Sequence, residues 1–414
     1  MRKNLLLPEG VQDLLIDDCI YRRHLEDKLM KGFIQAGYME VSSPNLEYYD
    51  LFSEDYLNAN GDNMFKLIDT NGKILVLRPD GTIPIVRMLS TKMKDFVYPL
   101  KLSYIQDIFR TDEEQAGKKR EYRQAGVELF GIPSYRGDAE VIITAIESLK
   151  DLGLEEFQVE LGQAELLRRI FEDLKISSKE KQSIHEYLEN KDIIGIDKFV
   201  ESLSINEDIK KILKKLPMLF GEPTEVISQI RELPLNSSMM EAVKDLEKVW
   251  EILRDYGLGE YILFDLGMVP NMEYYSGIIF KGFTKDVGSV LLSGGRYDRL
   301  LEDFGISCPA TGFALIINRI TKALKIQNKL EIKEKEHILI LDDGTNRLTI
   351  DKIKDLREKG YIVEICLLED SKDIMEYIKR REVHKIIKMN SQGKWELVEN
   401  LGGSLYGNSQ DSDC

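Results

Sequence analysis

Cysteine, histidine and tryptophan are scarce in this sequence. Its 414 residues include two tryptophans, four histidines and four cysteines, and no two cysteines form a Cys-X-X-Cys pair. The cysteines lie far apart, at Cys19, Cys308, Cys366 and Cys414. This spacing argues against a disulfide framework and against a zinc site built from cysteine and histidine. We therefore expect reduced thiols and no bound metal.

Long apolar runs and an excess of positive charge are also missing. The leucines near the start end at Pro8 and Glu9, too early for a signal peptide, and no run approaches the ~18 apolar residues that a membrane span needs. Lys plus Arg total 57 against 72 Asp plus Glu, so the formal net charge is −15. An acidic protein is a poor general binder of nucleic-acid phosphates. These deficits predict a cytoplasmic protein with no membrane segment and no nucleic-acid partner.

Turn and strand signals are frequent in the first part of the chain. Asn71-Gly72 separates two short apolar runs, and this pair favours a tight hairpin because both residues accept positive φ. Residues 100–110 and 122–130 are predicted to be paired strands around a charged loop. We further expect a strand over residues 274–281 and a turn at residues 294–298.

The later sequence changes character twice. Residues 163–256 are rich in Lys, Glu, Ile and Leu with helical spacing, which predicts a helical insertion. Residues 326–336 contain six Lys or Glu and are predicted to be a linker. Strand and helix patterns alternate over residues 337–414. The expected fold is α+β, with an antiparallel sheet core domain over residues 1–325 and a small C-terminal α/β domain over residues 337–414.

Several polar residues could bind an amino acid, although each has an ordinary structural explanation. Arg78-Pro79-Asp80-Gly81 alone is a good turn, and a lone Gln124 or Glu128 on a strand usually faces solvent. A zwitterionic ligand requires acceptors for its ammonium group and donors for its carboxylate. Asp80, Thr82, Gln124 and Glu128 offer acceptors, whereas Arg110 and the Gln124 amide offer donors.

Six short motifs occur in a fixed order along the chain. They are Arg78-Pro79-Asp80-Gly81-Thr82, Phe109-Arg110, Gln124-Ala125-Gly126-Val127-Glu128, Glu273-Tyr274-Tyr275-Ser276-Gly277, Gly294-Gly295-Arg296-Tyr297-Asp298 and Gly312-Phe313-Ala314. In this order they resemble the core of the histidyl-tRNA synthetases over residues 5–325. The resemblance implies a class II aminoacyl-tRNA synthetase-like fold. Pro44 stands where the class II dimer motif has its proline, so a self-dimer is also implied.

The resemblance also implies a histidine site. Asp80, Thr82 and Glu128 would hold the histidine ammonium group, with Arg110 and Gln124 beside them. Asp80 is one methylene shorter than the glutamate that the family usually has.

Two further motifs would complete that site. Tyr274 and Tyr275 would line the imidazole ring, and one hydroxyl would give it a hydrogen bond. Gly294 and Gly295 would let the backbone approach the ligand. Taken alone, Tyr274-Tyr275 is more often an ordinary strand and Gly294-Gly295 an ordinary turn.

The residues that would catalyse adenylation are altered. Arg110 and Arg319 stand where the synthetases have ATP-binding arginines, but Pro270 occupies the position of a catalytic arginine and can carry no charge. The third motif, usually Gly-Leu-Glu-Arg, is Ile316-Ile317-Asn318-Arg319, and Ser293 replaces a glycine. Loss of one such transition-state cation costs about 10²–10³ in rate. We therefore predict no catalytic residue and no cofactor.

The composition of the C-terminal segment argues against RNA binding. Residues 336–414 contain 12 basic and 16 acidic residues and one tryptophan, Trp395. A domain that reads RNA should instead present a basic face with aromatic side chains.

Histidine binding without catalysis or tRNA binding resembles the ATP phosphoribosyltransferase regulatory subunit family. The resemblance implies a short-form catalytic subunit as partner, feedback inhibition by histidine in the first step of histidine biosynthesis, and self-dimers within a hetero-octamer. Two alternatives stay open, namely an active histidyl-tRNA synthetase or histidine-adenylating enzyme, and a histidine sensor for an unrelated partner. The surface that faces the catalytic subunit, the route of the allosteric signal, the role of the C-terminal domain and any residual ATP binding are not predicted.

Overall fold

A computed structural model describes most of the chain. The described residues are 6–52, 64–111, 119–172, 174, 176–269, 274–330, 332, 335–341, 347–389 and 394–400. The chain divides into two compact units, Met1–Leu330 and Glu331–Cys414. The finer limits expected from the sequence, 1–325 and 337–414 around a linker at 326–336, stay predictions.

The first unit contains a large sheet of nine strands in the described residues. In chain order they are β1 (Met39–Glu40), β5 (Leu100–Phe109), β6 (Glu121–Phe130), β7 (Gln158–Gln163), β8 (Phe220–Gly221), β9 (Ile262–Asp265), β10 (Ile278–Thr284), β11 (Val287–Arg296) and β12 (Ala310–Ile316). Their spatial order is β1-β5-β6-β12-β11-β10-β7-β9-β8. The central pairs are antiparallel, whereas β1 with β5 and β7 with β9 are parallel. The expected antiparallel sheet core is confirmed.

A smaller antiparallel sheet is formed by residues between β1 and β5. It consists of β2 (Leu46–Tyr48), β3 (Lys66–Ile68) and β4 (Ile74–Leu77), in the order β2-β4-β3. Strands β3 and β4 are the two arms of the hairpin that Asn71-Gly72 predicts, and Gly72 has a φ of +78°. The hairpin is therefore confirmed.

Helices cover one face of the large sheet. They are α1 (Ile16–Gln35), α3 (Tyr135–Asp151), α4 (Ala164–Glu172), α5 (Ser178–Glu189), α6 (Ile193–Ser202), α7 (Glu207–Lys215), α8 (Pro223–Arg231), α9 (Ser237–Asp255) and α11 (Ile317–Ile326). Helix α1 buries Leu25, Leu29 and Phe33, which lie four residues apart and so face the same side. The helices between residues 163 and 256 share one apolar core with this face of the sheet.

The opposite face carries a second apolar cluster. Helices α2 (Thr82–Lys92) and α10 (Asp298–Asp303) contribute to it together with β5. Along β6, Ala125 and Val127 point into the helix-covered core, whereas Gln124 and Glu128 line a pocket on the other face. This division follows from the two-residue period of a strand.

Two expectations about local structure are wrong. Gly294 and Gly295 belong to strand β11 and do not form a turn, and Tyr274 and Tyr275 precede β10 rather than lying in it. A Cβ added to Gly294 would lie 2.3 Å from the carbonyl oxygen of Gly312 on the neighbouring strand. Glycine is therefore required here by the close approach of two strands.

The second unit is a small α/β domain. It contains β13 (His337–Leu341), α12 (Arg347–Glu358), β14 (Ile362–Ile365), α13 (Ser371–Arg380), β15 (Lys385–Met389) and β16 (Trp395–Asn400). The sheet order is β14-β13-β15-β16, in which the first three strands are parallel and β16 is antiparallel. The alternation of strand and helix is confirmed, and the sequence missed β16.

Within the described ranges, no helix is both long and apolar enough to span a membrane.

Candidate ligand-binding site

A polar pocket lies on the face of the large sheet that α2 covers. The turn before α2 and strands β5, β6, β10, β11 and β12 all contribute side chains to it. Eight of the nine residues proposed from the sequence line this pocket, namely Asp80, Thr82, Arg110, Gln124, Glu128, Tyr274, Tyr275 and Gly294. Their assignment to histidine stays a prediction.

Gly295 is not among the lining residues. A Cβ at this position would lie 2.7 Å from the carbonyl oxygen of Ile278 and 2.9 Å from the ring of Tyr275. Gly295 therefore acts through its neighbours, because it leaves room for the Tyr275 ring at the wall of the pocket.

Two buried carboxyl groups dominate the electrostatics. Asp80 precedes α2 and its Oδ1 accepts the N–H of Ile83 at 2.8 Å. Burial raises the pKa of Asp80, whereas that N–H and the positive charge of Arg110 lower it. Burial raises the pKa of Glu128 to about 8, against the lowering effect of its hydrogen bonds from Tyr297 and Thr82. A pocket of this kind favours a cationic ligand, which would compensate the two acids.

Hydroxyl groups hold Glu128 from both sides. Thr82 Oγ1 donates to Glu128 Oε1 at 2.7 Å, and the Tyr297 hydroxyl donates to Glu128 Oε2. Gly312 lies directly opposite, and a Cβ there would be 1.9 Å from Glu128 Oε2. Only glycine at position 312 leaves room for the Glu128 carboxylate at its observed position.

Other polar atoms of the pocket are available to a ligand. Gln124 Oε1 is buried and makes no hydrogen bond within the described residues. Arg110 Nε donates to the carbonyl oxygen of Pro79 at 2.8 Å, which places the guanidinium beside Asp80. A buried acceptor without a donor is costly, so a donor from outside the chain would be favourable at Gln124 Oε1.

Aromatic rings enclose the carboxylates. The rings of Tyr274 and Tyr275 lie 5.1 Å apart, and Tyr274 meets Tyr297 edge-on at 5.9 Å. Burial raises the pKa of the Tyr104 hydroxyl and of these three tyrosines, so each is a neutral hydrogen-bonding group.

Sequence reasoning missed several lining residues, above all Tyr104 and Tyr297. Tyr297 was noted in the Gly294–Asp298 motif, but was assigned only to a turn. A signal for Tyr104 existed in the strand pairing. Tyr104 lies opposite Gly126 in the β5–β6 register, and Leu102 lies opposite Glu128, so Tyr104 shares the face of the pocket.

The region expected to bind ATP is occupied by internal hydrogen bonds. Arg319 Nη1 donates to the carbonyl oxygen of Val290 at 2.6 Å, and its guanidinium lies 5.5 Å from the centre of the Tyr122 ring. Asn318 Oδ1 accepts the backbone N–H of Arg123 at 2.8 Å. Pro270, which replaces the catalytic arginine in the sequence comparison, lies outside the described residues.

The fold and pocket together define the class of protein. The family model described as Histidyl-tRNA synthetase matches residues 10–320. The structure resembles histidyl-tRNA synthetase from Nostoc sp. PCC 7120 with a TM-score of 0.78, 17% identity and coverage of 96% of this chain and 97% of that chain, which supports the fold. The class is therefore the class II, histidyl-tRNA synthetase-like fold.

Relatives define the family more narrowly. The chain is 50% identical to the ATP phosphoribosyltransferase regulatory subunit of Alkaliphilus metalliredigens, covering 94% of this chain and 99% of the relative. It is 44% identical to that of Acetivibrio thermocellus, covering 86% of each. A solved structure from Bacillus halodurans, described as an ATP phosphoribosyltransferase regulatory subunit/histidyl-tRNA synthetase, aligns with a TM-score of 0.81 at 29% identity, covering 94% of this chain and 99% of that chain. The chain belongs to the family of ATP phosphoribosyltransferase regulatory subunits.

Proposed function

We propose that this chain binds L-histidine in the pocket of Asp80 and Glu128 and acts as the non-catalytic regulatory subunit of an ATP phosphoribosyltransferase. The observation that carries the proposal is a buried pair of acids beside Arg110, with Gln124 Oε1 lacking a donor among the described residues. These groups match the ammonium and carboxylate of a free amino acid. Each charge-assisted hydrogen bond contributes roughly 1.5–3 kcal/mol, so a few suffice for micromolar binding.

The aromatic wall supports histidine as the amino acid. Tyr274 and Tyr275 line the pocket as neutral hydroxyl-bearing rings, which suit an imidazole that needs both an apolar face and a hydrogen bond. Gly295 leaves room for the Tyr275 ring at this wall.

The absence of adenylation is the second part of the proposal. Stabilising the charge that develops at the α-phosphate of ATP needs fixed cations and Mg²⁺. Pro270 supplies no cation, and the Asn318 amide replaces an acidic side chain and accepts a backbone N–H. Arg319 Nη1 donates to the carbonyl oxygen of Val290. These features support a loss of catalysis.

The third part concerns the assembly. The family name implies a catalytic ATP phosphoribosyltransferase partner. We propose that this partner is a short-form catalytic chain in the cytoplasm. The two chains form a hetero-octamer that contains self-dimers of this chain. Neither nucleic acid nor a membrane takes part. Feedback inhibition in histidine biosynthesis then needs a coupling of only ~1–3 kcal/mol between the two sites.

An active histidyl-tRNA synthetase is the alternative, and the retained Arg110 and Arg319 favour it. Histidine-dependent exchange of pyrophosphate into ATP separates the two functions. We expect the pure chain to bind histidine without exchange. Robust exchange would establish the alternative.

The decisive experiment reconstitutes the chain with a short-form catalytic subunit. We expect phosphoribosyl transfer to depend on this chain and to be inhibited by L-histidine. L-Histidinol, which lacks the carboxylate, is the matched control ligand and should inhibit more weakly because Arg110 loses its partner. A catalytic chain that is fully active and equally inhibited alone would contradict the proposal.

A further inference from the structure

We infer that Tyr297 is the positioning residue of this pocket, and that its hydroxyl holds the Glu128 carboxyl group in the place where a ligand ammonium group can pair with it. The inference rests on the proposed histidine binding. Tyr297, which directly follows β11, donates to Glu128 Oε2, and Thr82 donates to Oε1 from the start of α2. The carboxylate is therefore fixed by two donors that belong to different elements.

The Tyr297 ring is itself rigidly placed. It is 2% exposed, its backbone N–H donates to the carbonyl oxygen of Ala310 at 2.8 Å, and its ring meets Tyr274 edge-on. On the other side Glu128 lies close to Gly312 of β12, where an added Cβ would be 1.9 Å from Oε2. A hydrogen bond from a fixed ring therefore defines a single position for the Glu128 carboxylate.

The groups that face Glu128 leave its charge uncompensated. Among the described residues, Asp80 is the acid that acts on it, and the cations that line the pocket are Arg110 and Lys281. Arg110 acts on Asp80, and Lys281 interacts with Glu189, Asp265 and Glu160. The remaining neighbours are neutral hydroxyls, namely those of Thr82, Tyr38, Tyr104, Tyr274, Tyr275 and Tyr297.

This arrangement couples histidine binding to a proton. Burial and Asp80 raise the pKa of Glu128 to about 8, so the empty pocket retains a proton at neutral pH. A ligand ammonium group that pairs with ionised Glu128 must displace that proton. The Tyr297 hydrogen bond favours the ionised form, so its removal makes the displacement harder and moves it to higher pH.

The test is a calorimetric titration of L-histidine into the full-length protein and into Tyr297→Phe between pH 6 and pH 9. The variant keeps the buried ring and loses only the hydroxyl. We expect about tenfold weaker binding at pH 7, and a pH profile displaced upward by about one unit. Protonation of histidine itself is the same in both titrations, so the ratio of the two affinities isolates the protein group.

Tyr187→Phe is the matched control, because Tyr187 is a partly buried tyrosine that packs against the helix-covered core and does not line the pocket. It should leave both affinity and pH profile unchanged. Weaker binding by Tyr297→Phe with an unmoved pH profile would reduce Tyr297 to a structural residue and overturn the inference. Titrations in two buffers of different ionisation enthalpy measure the released proton directly.

A second variant covers a failure of Tyr297→Phe to fold. Thr82→Val removes the other hydroxyl donor to Glu128 and should displace the profile in the same direction. An unmoved profile in that variant would also overturn the inference. Failure of the wild-type chain to bind histidine refutes the proposed function, whereas normal binding with unmoved variant profiles refutes only the role of Tyr297.

Discussion

Two neighbouring polar regions of the large sheet use their side chains in opposite ways. In the pocket, Asp80 and Glu128 are buried and, within the described residues, neither forms an ion pair. Around Arg123 and Asn318, by contrast, charged and amide groups are bonded to one another, with Arg123 Nε 2.7 Å from Glu26 Oε1. A buried charge without a partner destabilises a protein unless a ligand supplies one.

This difference suggests separate roles for the two regions, with ligand binding in the pocket and no catalysis around Asn318 and Arg319. The pocket contains two buried acids that a cationic ligand would compensate, whereas the polar groups around Asn318 and Arg319 bond to one another and hold β6, β11 and α11 together. We therefore expect variants in the first region to change ligand affinity strongly. Single substitutions in the second region should fail to create a catalytic site.

The largest expected effect comes from Glu128→Ala. Removing the carboxylate leaves the ligand ammonium group buried without its partner, so histidine should bind about 30- to 1000-fold more weakly, or ~2–4 kcal/mol. The complex should still assemble and stay active, because the substitution removes a carboxyl group that retains a proton in the empty pocket at neutral pH. Titrating histidine while following phosphoribosyl transfer measures the loss of inhibition.

Glu121→Ala is the control for that experiment, since Glu121 lies on the same strand and does not line the pocket. It should be inhibited like the wild type. Identical inhibition curves for Glu128→Ala and the wild type would place the regulatory site elsewhere.

The next effect concerns stability of the ligand-free protein. The pKa of Glu128 is about 8 in the folded state against an ordinary value of 4.5, so the folded state binds more protons between these values. The free energy of unfolding should therefore fall as pH rises, by ~2–3 kcal/mol between pH 6 and pH 8, and level off above pH 8. Denaturant titrations at several pH values measure this slope.

Glu128→Gln tests the origin of that slope. The amide has a similar shape and does not titrate, so the variant should lack this part of the pH dependence and be more stable than wild type at pH 8. Saturating histidine should have the same flattening effect on the wild type. A slope that survives unchanged in Glu128→Gln would assign it to another group.

A smaller effect is expected from Gly312→Ala. The new Cβ would lie 1.9 Å from Glu128 Oε2 and 2.5 Å from the carbonyl oxygen of Val127, so the carboxylate must move. We expect histidine affinity to fall about tenfold and stability by ~1–3 kcal/mol. Gly288→Ala is the control, because no atom lies within 4 Å of its added Cβ. Equal affinities would show that the position of Glu128 is not critical.

The sequence predicted the pocket better than its scaffold. The resemblance of their motifs to the histidyl-tRNA synthetases predicted that Asp80, Thr82, Gln124 and Glu128 would lie together. They do so because Gln124 and Glu128 lie on the same face of β6, beside the start of α2. Gly294-Gly295 was assigned to a turn, since glycine pairs favour turns locally, whereas the close approach of β11 to β12 depends on residues 18 positions apart, Gly294 and Gly312. Such tertiary contacts leave no local pattern.

Strand β16 and Tyr297 were missed for related reasons. Trp395–Asn400 becomes a strand through antiparallel pairing with β15, and this six-residue segment has few features of its own that favour a strand. The role of Tyr297 depends on its contact with Glu128, which lies on a strand 169 positions earlier in the sequence. Its glycine neighbours in the motif predict only a turn, and the structure shows a strand there.

The smallest expected effect is that of Pro270→Arg. Restoring one cation should leave histidine-dependent pyrophosphate exchange as low as in the wild type, because Asn318 has no carboxylate and its Oδ1 is bonded to the N–H of Arg123. Arg319 is likewise held by the carbonyl oxygen of Val290. Pro270→Lys serves as the matched cation control, and an active histidyl-tRNA synthetase verifies the assay. Measurable exchange by Pro270→Arg alone would show that the region of Asn318 and Arg319 can support adenylation once one cation is restored. The contrast between the two regions would then disappear.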